Sequence, residues 1–201
     1  MSRYSIDVFI HVVGAAAVFL GYGSLALAVN AMWRATRSEQ VRAITSTLLA
    51  TRKVGLERVS AIDVIVIAGV LLIAITGLDM ALTFQLFQAP WIDVAIGSFV
   101  VLAPIGPLVI NPRLHRIVDA ANLEADGLIS SALLARTRDP LLAMTMGGSL
   151  GLLIALVFLM TTKPALGISL AAVVICAGAG VAVTWRLARS SRPPEGDRPR
   201  T

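Results

Sequence analysis

Five stretches of this chain stay apolar for long enough to cross a bilayer, and two of the four connections between them are long and rich in arginine. A spanning helix needs about 20 mostly apolar residues at a rise of about 1.5 Å each. Residues 6–31, 62–84, 91–110, 141–161 and 165–185 meet that requirement. The pattern predicts an all-α polytopic bundle of five transmembrane helices forming one domain over 1–189. A disordered basic tail rich in proline and arginine is expected over 190–201.

The segments between the runs predict their own elements. Val41, Ile44 and Leu48 recur at helical spacing with Arg42 and Arg52 off that face. That suits a helix lying in the membrane interface, or an early start of the second span. Asn111-Pro112 reads as an N-cap with proline at the first helical position, followed by an apolar stripe of Leu114, Ile117, Val118 and Ala121. Asp126-Gly127 marks a turn, and Asp139-Pro140 repeats the cap-then-proline signal where the fourth span begins. Pro104-Ile105-Gly106-Pro107 should kink or unwind the third helix. Gly14, Gly21 and Gly23 in the first helix, and Gly147 and Gly151 in the fourth, are small residues that let helix backbones approach closely.

Composition fixes the solvent. The 201 residues are 57% hydrophobic and only 14% charged, where a soluble domain is about 25% charged. So little charge cannot cover a water-facing surface, and lipid must be the main surrounding medium. Cys176 is the single cysteine and lies inside an apolar run, which excludes an internal disulfide and a paired-thiolate metal site.

Charge then sets the expected topology. Arg34, Arg37, Arg42, Arg52, Lys53 and Arg58 follow the first span; Arg113, Arg116, Arg136 and Arg138 follow the third; Arg186, Arg189, Arg192, Arg198 and Arg200 follow the fifth. Five crossings gather these cations on one side and leave Arg3 and Lys163 on the other. The positive-inside rule puts the N-terminus outside and the C-terminus in the cytoplasm, as expected for a multi-pass protein of the cytoplasmic (inner) membrane. The net charge of +5 is therefore a topology signal, and no nucleic-acid partner is expected. Ala26-Leu27-Ala28 resembles a signal-peptide cleavage site. Cleavage there would put the six-cation loop outside, so the first run is read as a retained span.

Ionisable groups inside spans cost about 2.5–3.5 kcal/mol at a helix centre on insertion scales, which makes them functional candidates. His11 lies about a turn inside the outer end of the first helix, with Asp7 four residues earlier on the same face. Asp79, Asp93 and Lys163 fall at similar depth on the same side. Such a group can bind a hard or borderline metal ion or relay protons. It can equally be a hydrogen-bonded histidine among helix-capping aspartates. His115, with Asp119 four residues on, belongs to the opposite side, so the two histidines cannot both ligate one haem iron. Met80, Met144, Met146 and Met160 read as packing residues and not as a copper clamp. No Ser/His/Asp triad, phosphate loop or Cys/His metal spacing is present.

A set of short motifs carries a resemblance. The first helix bears His11-Val12-Val13-Gly14-Ala15-Ala16, the second ends in Thr76-Gly77, and Trp91 leads the third. The fourth closes on Phe158-Leu159-Met160-Thr161-Thr162-Lys163-Pro164, similar to a Leu-Met-x-x-Lys-Pro ending. Over about residues 4–165 the chain resembles an uncharacterised bacterial integral membrane family, a domain of unknown function. That family looks related to the copper-resistance protein D-like superfamily. The resemblance implies a small inner-membrane bundle and supplies no activity. Superfamily relatives include proteins associated with copper uptake and a membrane protoporphyrinogen oxidase that uses a first-helix histidine for haem. His11 occupies a similar place, but that oxidase's second ligand has no match here.

The expectation is thus a membrane protein of unknown molecular function, with three readings. The first is a metal-ion or proton transport or accessory module at the outer face, using His11, Asp7, Asp79 and Asp93 with Lys163 tuning them. The second is a haem-binding redox protein with His11 as axial ligand. The third is a non-catalytic assembly or scaffold subunit, joining a second copy or a membrane complex through Gly147 and Gly151.

Overall fold

A computed structural model describes residues 2–48, 51–54, 57–83 and 89–190. Five helical segments in it are long and apolar enough to cross a membrane. The tail beyond Ser190, Phe84 at the end of the second predicted span, and the side chains of Leu48, Arg52, Lys53 and Arg58 lie outside the described residues.

Helix α1 (Arg3–Arg34) extends past both ends of its predicted span, and the Ser2 hydroxyl caps it by accepting from the Ser5 backbone N–H at 3.2 Å. Helix α2 (Ser38–Leu48) and a short antiparallel pair, β1 (Thr51–Val54) with β2 (Glu57–Ser60), fill the first connection. Helix α3 (Ala61–Thr83) starts with a capping box. The Ser60 hydroxyl accepts from the Asp63 N–H at 3.1 Å, and the Asp63 carboxylate accepts from the Ser60 N–H at 2.8 Å. Helices α4 (Pro90–Ile105), α5 (Asn111–Leu123), α6 (Ser131–Thr137), α7 (Pro140–Thr162) and α8 (Leu166–Ser190) complete the chain.

The third span departs from expectation at its basic end. Asn111 does not cap a new helix; it is itself helical, with φ −59° and ψ −47°. A π-helical turn, Gly106–Ile110, joins α4 to α5 in one continuous segment, Pro90–Leu123. The cause is the proline content. Pro104, Pro107 and Pro112 have no N–H to give to the preceding turn, and their rings crowd it. The widened turn relieves that crowding, and the Asn111 N–H bonds the Gly106 carbonyl five residues back. By contrast Asp139 caps α7 as expected, its side chain accepting from the Leu141 N–H at 2.9 Å with Pro140 in the first turn.

Helix α1 packs along α3 on one side and against α7 on another; α7 in turn carries α4 and α8. Small residues set both of the closest crossings. A methyl group on Gly69 would sit 2.7 Å from the Gly14 carbonyl oxygen, and one on Gly14 would sit 2.9 Å from the Gly69 oxygen. At the second crossing, a methyl group on Gly147 or Gly151 would run into the backbone of α8 at Gly180 and Cys176. The Gly147/Gly151 face therefore meets α8 of the same chain.

The two basic connections meet at one end of the bundle. The Ser38 N–H bonds the Gly127 carbonyl at 3.0 Å, and the Ile129 N–H bonds the Thr36 carbonyl at 3.1 Å. Arg42 donates to the last carbonyls of α5 and the turn beyond it: Nε to Ala121 at 3.2 Å, Nη2 to Glu124 at 2.7 Å, and Nη1 to the Asp126 carboxylate at 2.9 Å. Gly127, at φ +143°, supplies the turn. Consequently α2 is not an interfacial helix with its apolar stripe on lipid. Val41 is fully buried and α2 packs on α5 and α1, because Ser38 and Arg42, beside Val41 on the same side of the helix, hydrogen-bond to the end of α5 and the turn after it.

Candidate functional site

The crossing of α1 and α3 places a polar site near the N-terminal end of the bundle. Asp7, His11, Gly14 and Gly21 occupy one face of α1 at helical spacing, and Gly69, Thr76 and Asp79 occupy the opposing face of α3. The Gly14–Gly69 contact brings the backbones close enough for short polar side chains to meet.

His11 is buried there, 8% exposed, with Nδ1 3.0 Å from the Thr76 Oγ1. The Thr76 hydroxyl donates its own hydrogen to the Leu72 carbonyl at 2.6 Å. Its lone pairs are what remain for the ring, so Nδ1 carries a hydrogen and Nε2 is the atom left to take up a proton. Gly77 makes room for the ring: a methyl group at that position would lie 3.2 Å from His11 Cε1. Thr76-Gly77 thus has a physical role, one residue bonding the imidazole and the next yielding space to it.

One turn nearer the helix ends are two carboxylates and a guanidinium. Arg3 Nη2 donates to Asp79 Oδ1 at 2.7 Å, and Arg3 Nε lies 3.9 Å from Asp7 Oδ2. The Oδ2 atoms of both Asp7 and Asp79 are buried without a hydrogen-bond partner. Two carboxylates against one guanidinium leave the group one negative charge in excess when both are ionised. An unpaired buried carboxylate oxygen is costly, and water or a proton is what satisfies it.

The five residues expected to converge divide into two sets. Asp7, His11 and Asp79 come together on α1 and α3. Asp93, in the first turn of α4, and Lys163, the left-handed C-cap of α7 with φ 49°, are exposed. Among the described residues no hydrogen bond or ion pair joins either one to the His11 group. Similar expected depth does not bring them together, because the α1–α3 contact builds the site and neither Asp93 nor Lys163 stands on those helices. Arg3, read from sequence only as an outlying cation, is instead the counter-ion of the site. Its signal was position: three and four residues before Ile6 and Asp7 on a helix that starts earlier than its apolar run.

A multi-ligand metal centre fits less well. Among the described residues no three His, Cys, Asp or Glu side chains gather closely enough to share a metal ion. At His11, Thr76 engages Nδ1 and Gly77 faces the ring edge, which leaves Nε2 as the one ring atom open to a ligand or a proton.

At the basic end, about 21 Å along α1 from His11, His115 lines a cavity of about 10 Å³ with Leu25, Ser60, Asp63 and Asn111. Asn111 Nδ2 donates to Asp63 Oδ1 at 3.1 Å. That volume holds about one water molecule. A family model matches residues 6–164. The chain belongs to DUF2269, a family of predicted integral membrane proteins. The DUF2269 region runs from Ile6 in α1 to the end of α7, taking in Asp7, His11, Thr76 and Asp79 but not Arg3, and leaves α8 outside it. No curated protein and no solved structure matches the chain.

Proposed function

We propose that this DUF2269 protein binds and relays protons at the end of the α1–α3 pair, as a transport or transport-accessory module of the cytoplasmic membrane. The observation that carries the reading is the stack of Asp7, Asp79 and His11, in which two buried carboxylate oxygens lack hydrogen-bond partners one turn from a buried imidazole. Imidazole ordinarily titrates near neutral pH, so it can exchange a proton where a carboxylate or lysine rarely does. Each Oδ2 is an acceptor without a hydrogen-bond donor, open to a proton or a water, and Arg3 lies against both carboxylates. His11 Nε2 is the next acceptor.

The charge split supports the accompanying topology, N-terminus outside and C-terminus in the cytoplasm, under which the site would face outward. A metal-ion version draws on the likeness to the copper-resistance protein D-like superfamily. It has the weaker support, because the donors on α1 and α3 do not form a three-ligand group. Asp93 and Lys163 have no assigned part in the proton reading.

The test is proton flux into vesicles that hold the purified protein and an internal pH dye, driven by an imposed potential. Wild type should acidify the lumen faster than His11→Ala and than the Asp7→Asn, Asp79→Asn pair. Equal rates for wild type, both variants and protein-free vesicles would remove the proposal. Zinc or copper retained by wild type and lost from His11→Ala would replace it with the metal version.

A further inference from the structure

A groove of about 530 Å³ lies between α1, α7 and α8, open along its side. Phe19, Leu27, Leu150 and Val183 are among the apolar side chains that line it, and Asn30 and Trp33 line its basic end. The groove belongs to one half of the bundle. On α1 it runs from Phe19 to Trp33, about 21 Å of helix. On α7 and α8 it takes in only the turns near the basic connections, Ala143 to Leu150 and Val183 to Leu187. Half a hydrocarbon core is about 15 Å deep, so the groove has the length of a single leaflet.

Its open end is cationic. Arg34 stands four residues beyond Asn30 and seven beyond Leu27, on the same face of α1 as these lining residues. Arg186 immediately precedes the lining residue Leu187. The indole N–H of Trp33 bonds the Thr137 carbonyl at 2.8 Å, which ties the turn bearing Arg136 to the same end. All three arginines are exposed, and among the described residues none has an ion-pair partner. Elsewhere at this end the pairing is close: Arg42 with Asp126, and Arg113 with Asp139. Trp33 and Trp185 stand near this same end of α1 and α8, Trp33 buried in the protein and Trp185 half-buried with Arg189 over its ring.

From this geometry we infer that the groove is a binding site for one anionic phospholipid of the leaflet at the basic end. An acyl chain lies between α1, α7 and α8, and the phosphate faces Arg34, Arg136 and Arg186. Unpaired guanidiniums are the groups that recognise a phosphate, by paired N–H donation. A helix from a second copy is the poorer occupant. A leaflet's depth of helix, about 10 Å across, needs roughly 1,200 Å³, over twice the volume of the groove. The lipid would fill space beside α8, the span outside the DUF2269 match, and bind it to α1 where the two helices scarcely touch.

The test is native mass spectrometry of the purified full chain from micelles doped with equal phosphatidylglycerol and phosphatidylcholine. Wild type should retain phosphatidylglycerol preferentially. The triple variant Arg34→Gln, Arg136→Gln, Arg186→Gln should lose at least tenfold of that preference, since each cation near an anionic lipid surface is worth roughly fivefold. Leu150→Trp, which fills the groove, should lower retention of both lipids. Equal retention of the two lipids by wild type, or a preference unchanged in the arginine triple, overturns the assignment. So does a dimer that Leu150→Trp dissociates with lipid retention unaltered, which would give the groove to a second copy. The arginines are exposed and their loss leaves the core intact, so this arm stands even where the tryptophan variant does not fold.

Discussion

Gly69→Ala should disable the His11 site from a distance, without touching it. The new methyl group would stand 2.7 Å from the Gly14 carbonyl oxygen and 2.9 Å from Val18 Cγ2. An ordinary carbon–oxygen contact in helix packing is about 3.3–3.6 Å. Backbone oxygen cannot swing aside, so α1 and α3 must separate by about 0.6 Å. The His11 Nδ1–Thr76 Oγ1 bond is 3.0 Å long, and the same separation carries it to about 3.6 Å, where it no longer counts as a bond. Interhelical hydrogen bonds in membranes are worth about 0.6 kcal/mol on average and up to about 1.7. Overpacking adds about 1–3 kcal/mol. The expected loss is about 2–4 kcal/mol, read by reversible unfolding in mixed detergent micelles. A double-mutant cycle isolates the mechanism. Thr76→Val should cost about 0.6–1.7 kcal/mol in wild type and almost nothing in the Gly69→Ala background. If Thr76→Val costs the same in both backgrounds, the crossing does not control the site and the reasoning fails.

Three further outcomes follow from the packing and the loops. Gly180→Ala should displace α8 from α7, because its methyl group would enter the Gly147 backbone; a loss of at least about 2 kcal/mol and faster maleimide labelling of Cys176 are expected, and unchanged labelling counts against it. Arg42→Ala strips two carbonyls at the end of α5 and the Asp126 carboxylate of their donor, costing about 1–3 kcal/mol and accelerating amide exchange over 125–129. Glu39 is held at about 2, below its ordinary 4.5, first by the Arg37 side chain, then by its own backbone N–H and that of Gly127. A depressed carboxyl stabilises the folded loop above pH ~4.5 and loses that effect as pH falls toward 2. The Gly127 amide shift should therefore titrate near 2 and stop titrating in Glu39→Gln, whereas a midpoint near 4.5 refutes the contact.

Much of this architecture could be read without coordinates. Span number and approximate position follow from run length, since a bilayer demands about 20 apolar residues and tolerates little else. The caps at Asp139 and the turn at Gly127 were legible because each depends on a local backbone requirement. The third span misled at Asn111-Pro112. A cap-and-proline pair marks a helix start only where the preceding chain has ended its hydrogen-bond ladder, and a π-helical turn kept that ladder going. The stripe of Val41 and Ile44 correctly predicted a helix but not its neighbour, because an apolar face looks the same whether lipid or α5 covers it.

The sequence by itself determined that the chain is a membrane bundle, how its cations divide between two ends, and that Asp7 and His11 share a helical face. These are properties of one chain against one solvent, fixed by length, period and charge. Tertiary structure alone decided which helices meet. It joined Arg3 to Asp79 across 76 residues of sequence and His11 to Thr76 across 65, and left Asp93 and Lys163 apart from them. Equal depth is a one-dimensional fact, whereas a site needs two helices to cross, and the glycines that permit the crossing carry no signal of their partner.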